Sequence, residues 1–140
     1  MNSFRIFEVA ASAMSAQSQR LNLVASNLAN ANTVSSSADQ TYRSRQPVFA
    51  AALQDAMGNS DPGQMPGVKM LGVVESPASL RMEYAPDHPM ANEEGYIFKS
   101  NVNTVEEMTN MISASRSYQD NVEVFNTAKQ LMLQTLRLGE

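Results

Sequence analysis

The sequence predicts a mainly α-helical fold: two long terminal helices packed as a coiled-coil-like pair, with a small β-rich insert between them. Apolar residues recur at alternating three-residue and four-residue steps near both ends of the 140-residue chain, which is the spacing of a helix with one apolar face. Five of the six prolines and five of the six glycines fall between Gly58 and Gly95. Helix is disfavoured there because these residues interrupt it.

The first helix is predicted over residues 4–31, because its apolar positions form one series. These positions are Phe4, Phe7, Ala11, Met14, Leu21, Ala25 and Leu28. Asn30, Asn32 and a serine-rich run provide the stop. Arg5 and the Ala11-Ser12-Ala13 step resemble parts of a secretory signal, but Glu8 interrupts the apolar stretch that such a signal needs. We therefore expect this segment to belong to the mature fold.

The second helix is predicted over residues 105–138. Thr104 and Glu107 have the spacing of a capping box, in which each side chain bonds the other residue's backbone. Arg137 and Gly139 suit a helix C-terminus. One apolar face comprises Met108, Met111, Ile112, Tyr118, Val122, Phe125, Met132 and Leu136, and a second comprises Val124, Ala128, Leu131 and Leu138. Two apolar faces on one helix predict contacts with more than one partner.

The insert is predicted to be β-rich. Strand-forming residues bounded by turn formers occur at 42–49, 68–74, 80–84 and 96–99, and 59–63 has the composition of a turn. The domain organisation follows: residues 1–33 and 101–140 together form a terminal-helix assembly domain, and residues 34–100 form the insert.

The first helix is poorly suited to stand alone in water. Its few large apolar residues offset only part of the entropy cost of ordering its backbone. Between Glu8 and Asp39 its only charged residue is Arg20, whereas uncharged hydroxyls and amides can be buried if they are hydrogen-bonded. Both faces of this helix therefore suit contact with other protein, although a helix with a serine-rich exposed side is the simpler alternative.

Composition argues against catalysis and against several classes of ligand. The net charge of -4 lacks the basic excess of a nucleic-acid-binding protein, and no apolar run approaches the length of a membrane span. The chain has no cysteine, and His88 is its only histidine, so one chain offers no zinc triad. Side chains of the adjacent Glu93 and Glu94 diverge on a strand or helix. We expect no enzyme activity, no metal and no cofactor.

Two stretches carry a family resemblance. Residues 12–22 (SAMSAQSQRLN) with 25–33 (ASNLANANT) resemble the N-terminal signature of bacterial flagellar rod and hook proteins. Residues 101–121, with NVN, EEM, MI, ASRSY and a final Asn, resemble the C-terminal signature of that family. The short chain, the YAPDHP turn at 84–89 and the terminal LRLG resemble the proximal rod members in particular.

The resemblance implies a structural subunit of a tubular rod that crosses the periplasm and transmits motor torque. It implies export through the flagellar type III apparatus, and contacts with other copies of the chain and with other rod proteins. The predicted subunit-interface residues are Phe4, Phe7, Met14, Leu21, Asn27, Leu28, Asn30, Met108, Met111, Ile112, Tyr118, Val122, Phe125, Leu131, Met132 and Leu136.

Two other functions are compatible with parts of the pattern. The helices could form a self-sufficient hairpin beside a β-rich ligand site, as in a soluble binding module. A hydrolase based on Glu93 and Glu94 would need these carboxylates to face each other in a closed cleft.

Overall fold

A computed structural model describes residues 3–51 and 67–138. The elements in chain order are α1 (Ser3–Asn30), β1 (Val34–Ser35), a 3-10 turn (Ala38–Gln40), β2 (Arg45–Ala51), β3 (Val68–Glu75), β4 (Arg81–Tyr84), β5 (Tyr96–Lys99) and α2 (Thr104–Leu138). The predicted fold class is confirmed: two long terminal helices pack together, and the strands lie between them in sequence. The turn predicted at 59–63 lies outside the described residues.

The two helices pack antiparallel. Near one end of the pair, the rings of Phe7 and Phe125 meet edge-to-face with centroids 4.9 Å apart. Toward the other end, Arg20 Nη2 donates to Asn110 Oδ1 at 3.1 Å. In this register the start of α1 lies opposite about residue 129 of α2. The remaining nine residues of α2 extend roughly 13 Å beyond the first described residue of α1, at about 1.5 Å per residue.

The buried face of α1 lies one residue away from the predicted one. Ala11 and Ala25 are exposed, whereas Ala10, Val24 and Ala31 are buried. Ala16 and Asn27 are buried as well, so the buried positions of α1 follow the helical period without a strict heptad, and most of them lie one residue before the predicted series. The large apolar residues of the predicted series instead flank the buried face. Small side chains explain the difference, because they let neighbouring elements approach closely.

The same correction applies to α2, where the buried residues are Glu107, Ala114 and Ala128. They are spaced by multiples of seven. Ala128 had been predicted to belong to a second, partner-facing stripe. Its burial, like that of Ala114, again places small residues where the chain is most tightly packed.

The start of α2 also differs from prediction. Asn103 is the cap, because its Oδ1 accepts from the backbone N–H groups of Val105 and Glu106 at 3.1 and 3.3 Å. The predicted capping box of Thr104 and Glu107 is therefore wrong. Asparagine is among the strongest N-cap residues, and its use moves the helix start one residue toward the N-terminus.

The strands form two small antiparallel sheets. β2 pairs with β3, and the register shifts between Val48 and Phe49. The second sheet has the order β1-β5-β4, in which β1 brings the end of α1 beside the approach to α2. The four predicted strands are confirmed within a few residues. The two-residue β1 was not predicted, because its pairing with a strand more than 60 residues away leaves no local signal.

Gly95 occupies the turn before β5 with a φ of 81°. A Cβ at this position would lie 2.9 Å from Tyr84 Cε2. We expect Gly95→Ala to destabilise the β4–β5 hairpin by about 1–3 kcal/mol, because a non-glycine residue at positive φ is strained. Gly72→Ala is the matched control, since a Cβ there meets nothing within 4 Å. Backbone amide exchange of Tyr96 to Lys99 should be faster only in the Gly95 variant.

An ion pair between Lys99 and Glu83 crosses the β4–β5 hairpin. The hydrogen bond from Lys99, together with its charge, lowers the pKa of Glu83. A carboxyl whose pKa is lower in the folded chain contributes stability above its unfolded pKa, and that contribution is lost as pH falls through the folded pKa. NMR titration should therefore place the midpoint of Glu83 below 4.5, and Lys99→Met should raise it.

Candidate subunit-contact surface and helix–insert joint

Five of the predicted interface residues, all on α2, are exposed in the single chain. Met108, Ile112, Leu131 and Leu136 are 56–62% exposed, and Tyr118 is 38% exposed. Exposed apolar side chains occurring singly are ordinary, but several along one element mark an interaction site. These five residues are therefore available to a neighbouring molecule.

Most other predicted interface residues are half-buried in the single chain. They are Phe7, Met14, Leu21, Leu28, Asn30, Met111, Val122, Phe125 and Met132. Phe4 belongs to α1, but its side chain lies outside the described residues. Half-buried residues contribute to packing within the chain and still present part of their surface outward.

Three exposed apolar residues of α2 are absent from the predicted interface residues, although Leu138 belongs to the second apolar face that was predicted to contact a partner. Leu133 and Leu138 lie on the overhanging end of α2 and are 49% and 87% exposed, and Val105 is exposed at its start. The sequence does show these residues as apolar positions of α2, but they lie outside the main predicted face. The overhang thus presents leucines on more than one side.

A shallow, mostly apolar hollow of about 470 Å³ lies where the start of α1 meets α2. Its apolar lining comes from Ile6, Val124 and Leu131, and Asp120 and Glu123 also line it. The hollow continues the exposed apolar surface of α2 toward the overhang. We call the exposed residues Met108, Ile112, Tyr118, Leu131, Leu133, Leu136 and Leu138 the α2 contact surface.

Asn27 behaves differently from the rest of the predicted interface. It is 1% exposed, and its amide binds the backbone of Arg45 on both sides: Oδ1 accepts from Arg45 N and Nδ2 donates to Arg45 O, each at 2.9 Å. The Tyr42 hydroxyl also donates to Asn27 Oδ1 at 2.8 Å. The side chain of Asn27 thus fixes the beginning of β2 to α1. This role lies inside the chain.

A second asparagine holds the same segment from the side of α2. Asn101 Oδ1 accepts from Ser44 N at 2.7 Å, and its Nδ2 donates to Ala78 O at 3.0 Å. The buried Glu107 Oε1 lies 3.5 Å from Ser44 Oγ. We call Asn27, Ser44, Arg45, Asn101 and Glu107 the helix–insert joint. Because both terminal segments bind consecutive residues of the insert, the joint fixes the insert relative to both helices.

The described part of the chain offers few groups that could bind a metal ion or catalyse a reaction. Residues 3–51 and 67–138 contain no group of three His, Cys, Asp or Glu residues placed to hold a metal ion. Glu93 and Glu94 are exposed rather than enclosed in a cleft. No helix in these ranges combines the length and apolar character needed to cross a bilayer. Within these ranges, the candidate functional features are therefore the α2 contact surface and the helix–insert joint.

In a comparison with known proteins, the N-terminal and the C-terminal signature each match a family of flagellar basal-body rod proteins. Residues 7–35 match the family described as "Flagella basal body rod protein", and residues 93–138 match "Flagellar basal body rod FlgEFG protein C-terminal". The helix–insert joint draws Asn27 from the first match and Asn101 and Glu107 from the second.

The chain is similar over its length to proteins named flagellar basal-body rod protein FlgC. It is 49% identical to that of Yersinia enterocolitica over 141 residues, covering 100% of both chains. It is 50% identical to that of Escherichia coli O6:H1 over 136 residues, covering 96% of each. It is 32% identical to that of Bacillus subtilis over 152 residues, covering 100% of both. The chain therefore belongs to the FlgC family of flagellar basal-body rod proteins, which are structural subunits and not enzymes.

Proposed function

We propose that the chain polymerises through its terminal helices into a tubular rod, and that this rod passes torque from the motor outward. Its partners are other copies of itself and other rod proteins. The single observation that carries this proposal is the α2 contact surface, whose leucines and methionine have no cover in the described chain. In water such a surface is unfavourable, and its burial between subunits stabilises the assembly.

The α2 overhang supports contact beyond the chain's own helix pair. Leu133, Leu136 and Leu138 lie past the first described turn of α1 and are exposed on several sides. Leucines exposed on several sides of a helix end are suited to burial against more than one neighbour. A tube of packed helices provides such surroundings, whereas a free two-helix binding module would expose these leucines to water.

The helix–insert joint supports the torque-bearing part of the proposal. Asn27 and Asn101 bind backbone groups of adjacent residues, Arg45 and Ser44, from the two terminal segments. A force applied to the insert is therefore passed directly to both helices through hydrogen-bonded backbone. The hydrogen bonds of the buried Asn27 amide resist displacement in particular, because breaking them leaves unsatisfied groups.

Export through the type III apparatus and folding on incorporation form the second half of the proposal. Helices whose apolar surface is covered only by neighbours remain weakly ordered before assembly. Far-UV circular dichroism of the dilute, isolated chain should show much less helix than two helices of 28 and 35 residues would give. High helicity with a cooperative melt would instead favour the self-sufficient binding module.

Deletion of residues 1–31 tests the assembly proposal in cells. The truncated chain should be absent from purified basal bodies, and the cells should not swim, because α1 and Asn27 are both removed. Alanine at the exposed Glu94 is the control and should leave swimming intact. A truncated chain that still supports swimming would refute assembly through the terminal helices.

A further inference from the structure

The hollow between the start of α1 and α2 has no cover among the residues that the structure describes. Its apolar lining residues remain accessible: Ile6 is 39% exposed, Val124 is 49% exposed and Leu131 is 58% exposed. The volume of about 470 Å³ is roughly three times that of an apolar cavity that admits a benzene-sized group. The hollow can therefore receive more than one side chain of a neighbouring molecule.

Two carboxylates also line this hollow and give it a preference for a cation. Asp120 and Glu123 are exposed and three positions apart, so they are neighbours on the surface of α2, where like charges repel. Neither makes an ion pair with residues 3–51 and 67–138. An apolar cover would also remove water from both, which is costly for a carboxylate without a partner. The occupant must therefore bring apolar side chains together with a positive charge.

Half of the ten Lys and Arg side chains of the chain are already engaged within it. They donate to or pair with described residues, and they are Arg20, Arg43, Arg45, Arg81 and Lys99. The other five make no ion pair with the described residues, and they are Arg5, Lys69, Arg116, Lys129 and Arg137. These five are the cations that a neighbouring copy could offer to the hollow.

Arg137 is the member of this group that also brings apolar surface. It lies between Leu136 and Leu138, which are 62% and 87% exposed, and these leucines leave the helix about 100° to either side of it. Arg116 instead lies between two serines, and Lys129 lies between an alanine and a glutamine. A cation with a leucine on each side matches a hollow that combines apolar residues with carboxylates.

The positions of Lys69 and Arg5 do not suit them to this role. Lys69 lies inside β3, where it is paired with Ala50 of β2, so it does not project from the chain as a helix end does. Arg5 precedes Ile6 in the first turns of α1 and therefore belongs beside the hollow of its own chain. Arg137 is thus selected by its neighbours and by its place at a projecting end.

The overhang of α2 is cationic where the hollow is anionic. From Val124 to Leu138 the helix has no acidic residue, and Lys129 and Arg137 are its only charges. Arg137 cannot turn back to the hollow of its own chain, because it lies 14 positions beyond Glu123, or roughly 21 Å along the same helix. A contact between the overhang and the hollow must therefore join two molecules.

We propose that this hollow receives the α2 overhang of a second copy of the chain, with Arg137 of that copy bound to Asp120 and Glu123. The inference rests on the proposed assembly and names one contact through which it proceeds. Each copy offers its hollow to one neighbour and its overhang to another. The contact is therefore head-to-tail and can repeat along an open helical polymer.

Carbodiimide coupling in isolated basal bodies tests this contact in an Arg137→Lys variant. The substitution keeps the positive charge and supplies an amine, which the reagent joins to a carboxylate only where the two groups touch. We expect an amide bond between position 137 and Asp120 or Glu123, identified by mass spectrometry in products the size of two or more chains. Lys129 of the same molecules is the internal control and should not couple to either carboxylate.

Charge exchange tests the ion pair in cells that express equal amounts of each variant. Glu123→Arg alone and Arg137→Glu alone should each lower the amount of chain in basal bodies at least about tenfold, because like charges then meet in the contact. Combining the two reversals should restore incorporation to within about threefold of the unchanged chain. Glu123→Arg combined with Lys129→Glu is the matched control and should not recover.

Several results would overturn this contact. They are no coupling at position 137, coupling of position 137 only to a different rod protein, unchanged incorporation after either single reversal, and no recovery in the combined variant. Absence of the unchanged chain from basal bodies, measured first by immunoblot, would instead refute the proposed function.

Discussion

Asn27→Leu should prevent stable assembly of the chain although it changes no surface that a neighbour could contact. Leucine is close in size to asparagine, but it cannot bond the backbone N–H or C=O of Arg45 or the hydroxyl of Tyr42. Each buried group left without a partner costs about 1–3 kcal/mol, so the joint should lose roughly 3 kcal/mol or more. Incorporation into purified basal bodies, measured by immunoblot, should fall at least about a hundredfold.

Asn22→Leu is the matched control for this variant. Asn22 lies on the same helix but is exposed, and its side chain makes no hydrogen bond with the described residues. The same chemical change should therefore have little effect on folding of the joint. Equal incorporation of the two variants would show that the joint is not required, and that Asn27 matters no more than an exposed amide.

Leu136→Asp should have the opposite signature: its isolated chain should behave like the unchanged isolated chain, but it should fail to assemble. Leu136 is 62% exposed on the overhang of α2, so the substitution should change the free energy of the isolated chain by no more than about 0.5 kcal/mol. In the rod, the carboxylate would be buried without a partner at about 3–5 kcal/mol. That penalty weakens association by roughly two to three orders of magnitude.

Gln134→Asp separates burial from the general effect of an added negative charge. It places a carboxylate on the same last turns of α2, where the helix dipole disfavours it equally, but about 200° around the helix from Leu136. Basal-body incorporation should fall far more for Leu136→Asp. Circular dichroism of the isolated chains should be the same for both. Equal incorporation would exclude Leu136 from the contact surface.

The sequence predicted both helices and four of the five strands, but not the packing between them. Helix bounds and four strands follow from apolar spacing and from proline and glycine placement. The observed buried face of each helix differs from the predicted one because periodicity gives weight to large residues, whereas the small residues Ala10, Ala114 and Ala128 are buried. Asn103 caps α2 where Thr104 had been predicted, because asparagine and threonine can both cap a helix and only the hydrogen bonds decide between them.

The sequence did not indicate the helix–insert joint, because its hydrogen bonds join residues that are far apart in the chain. Asn27 had been assigned to contacts between subunits because it belongs to the N-terminal signature. Its partner, Arg45, lies 18 residues away in a predicted strand, and Asn101 reaches Ser44 across 57 residues. Such pairs depend on tertiary placement. Glu107, predicted as a capping residue, is likewise a buried member of the joint.

A subunit-resolved density map of an intact basal body tests assembly through the terminal helices most directly. We expect neighbouring subunits to cover Ile112, Leu131 and Leu136, while the bonds from Asn27 to Arg45 stay inside each chain. A rod in which this surface of α2 faces solvent, with subunits joined only through their inserts, would contradict the account.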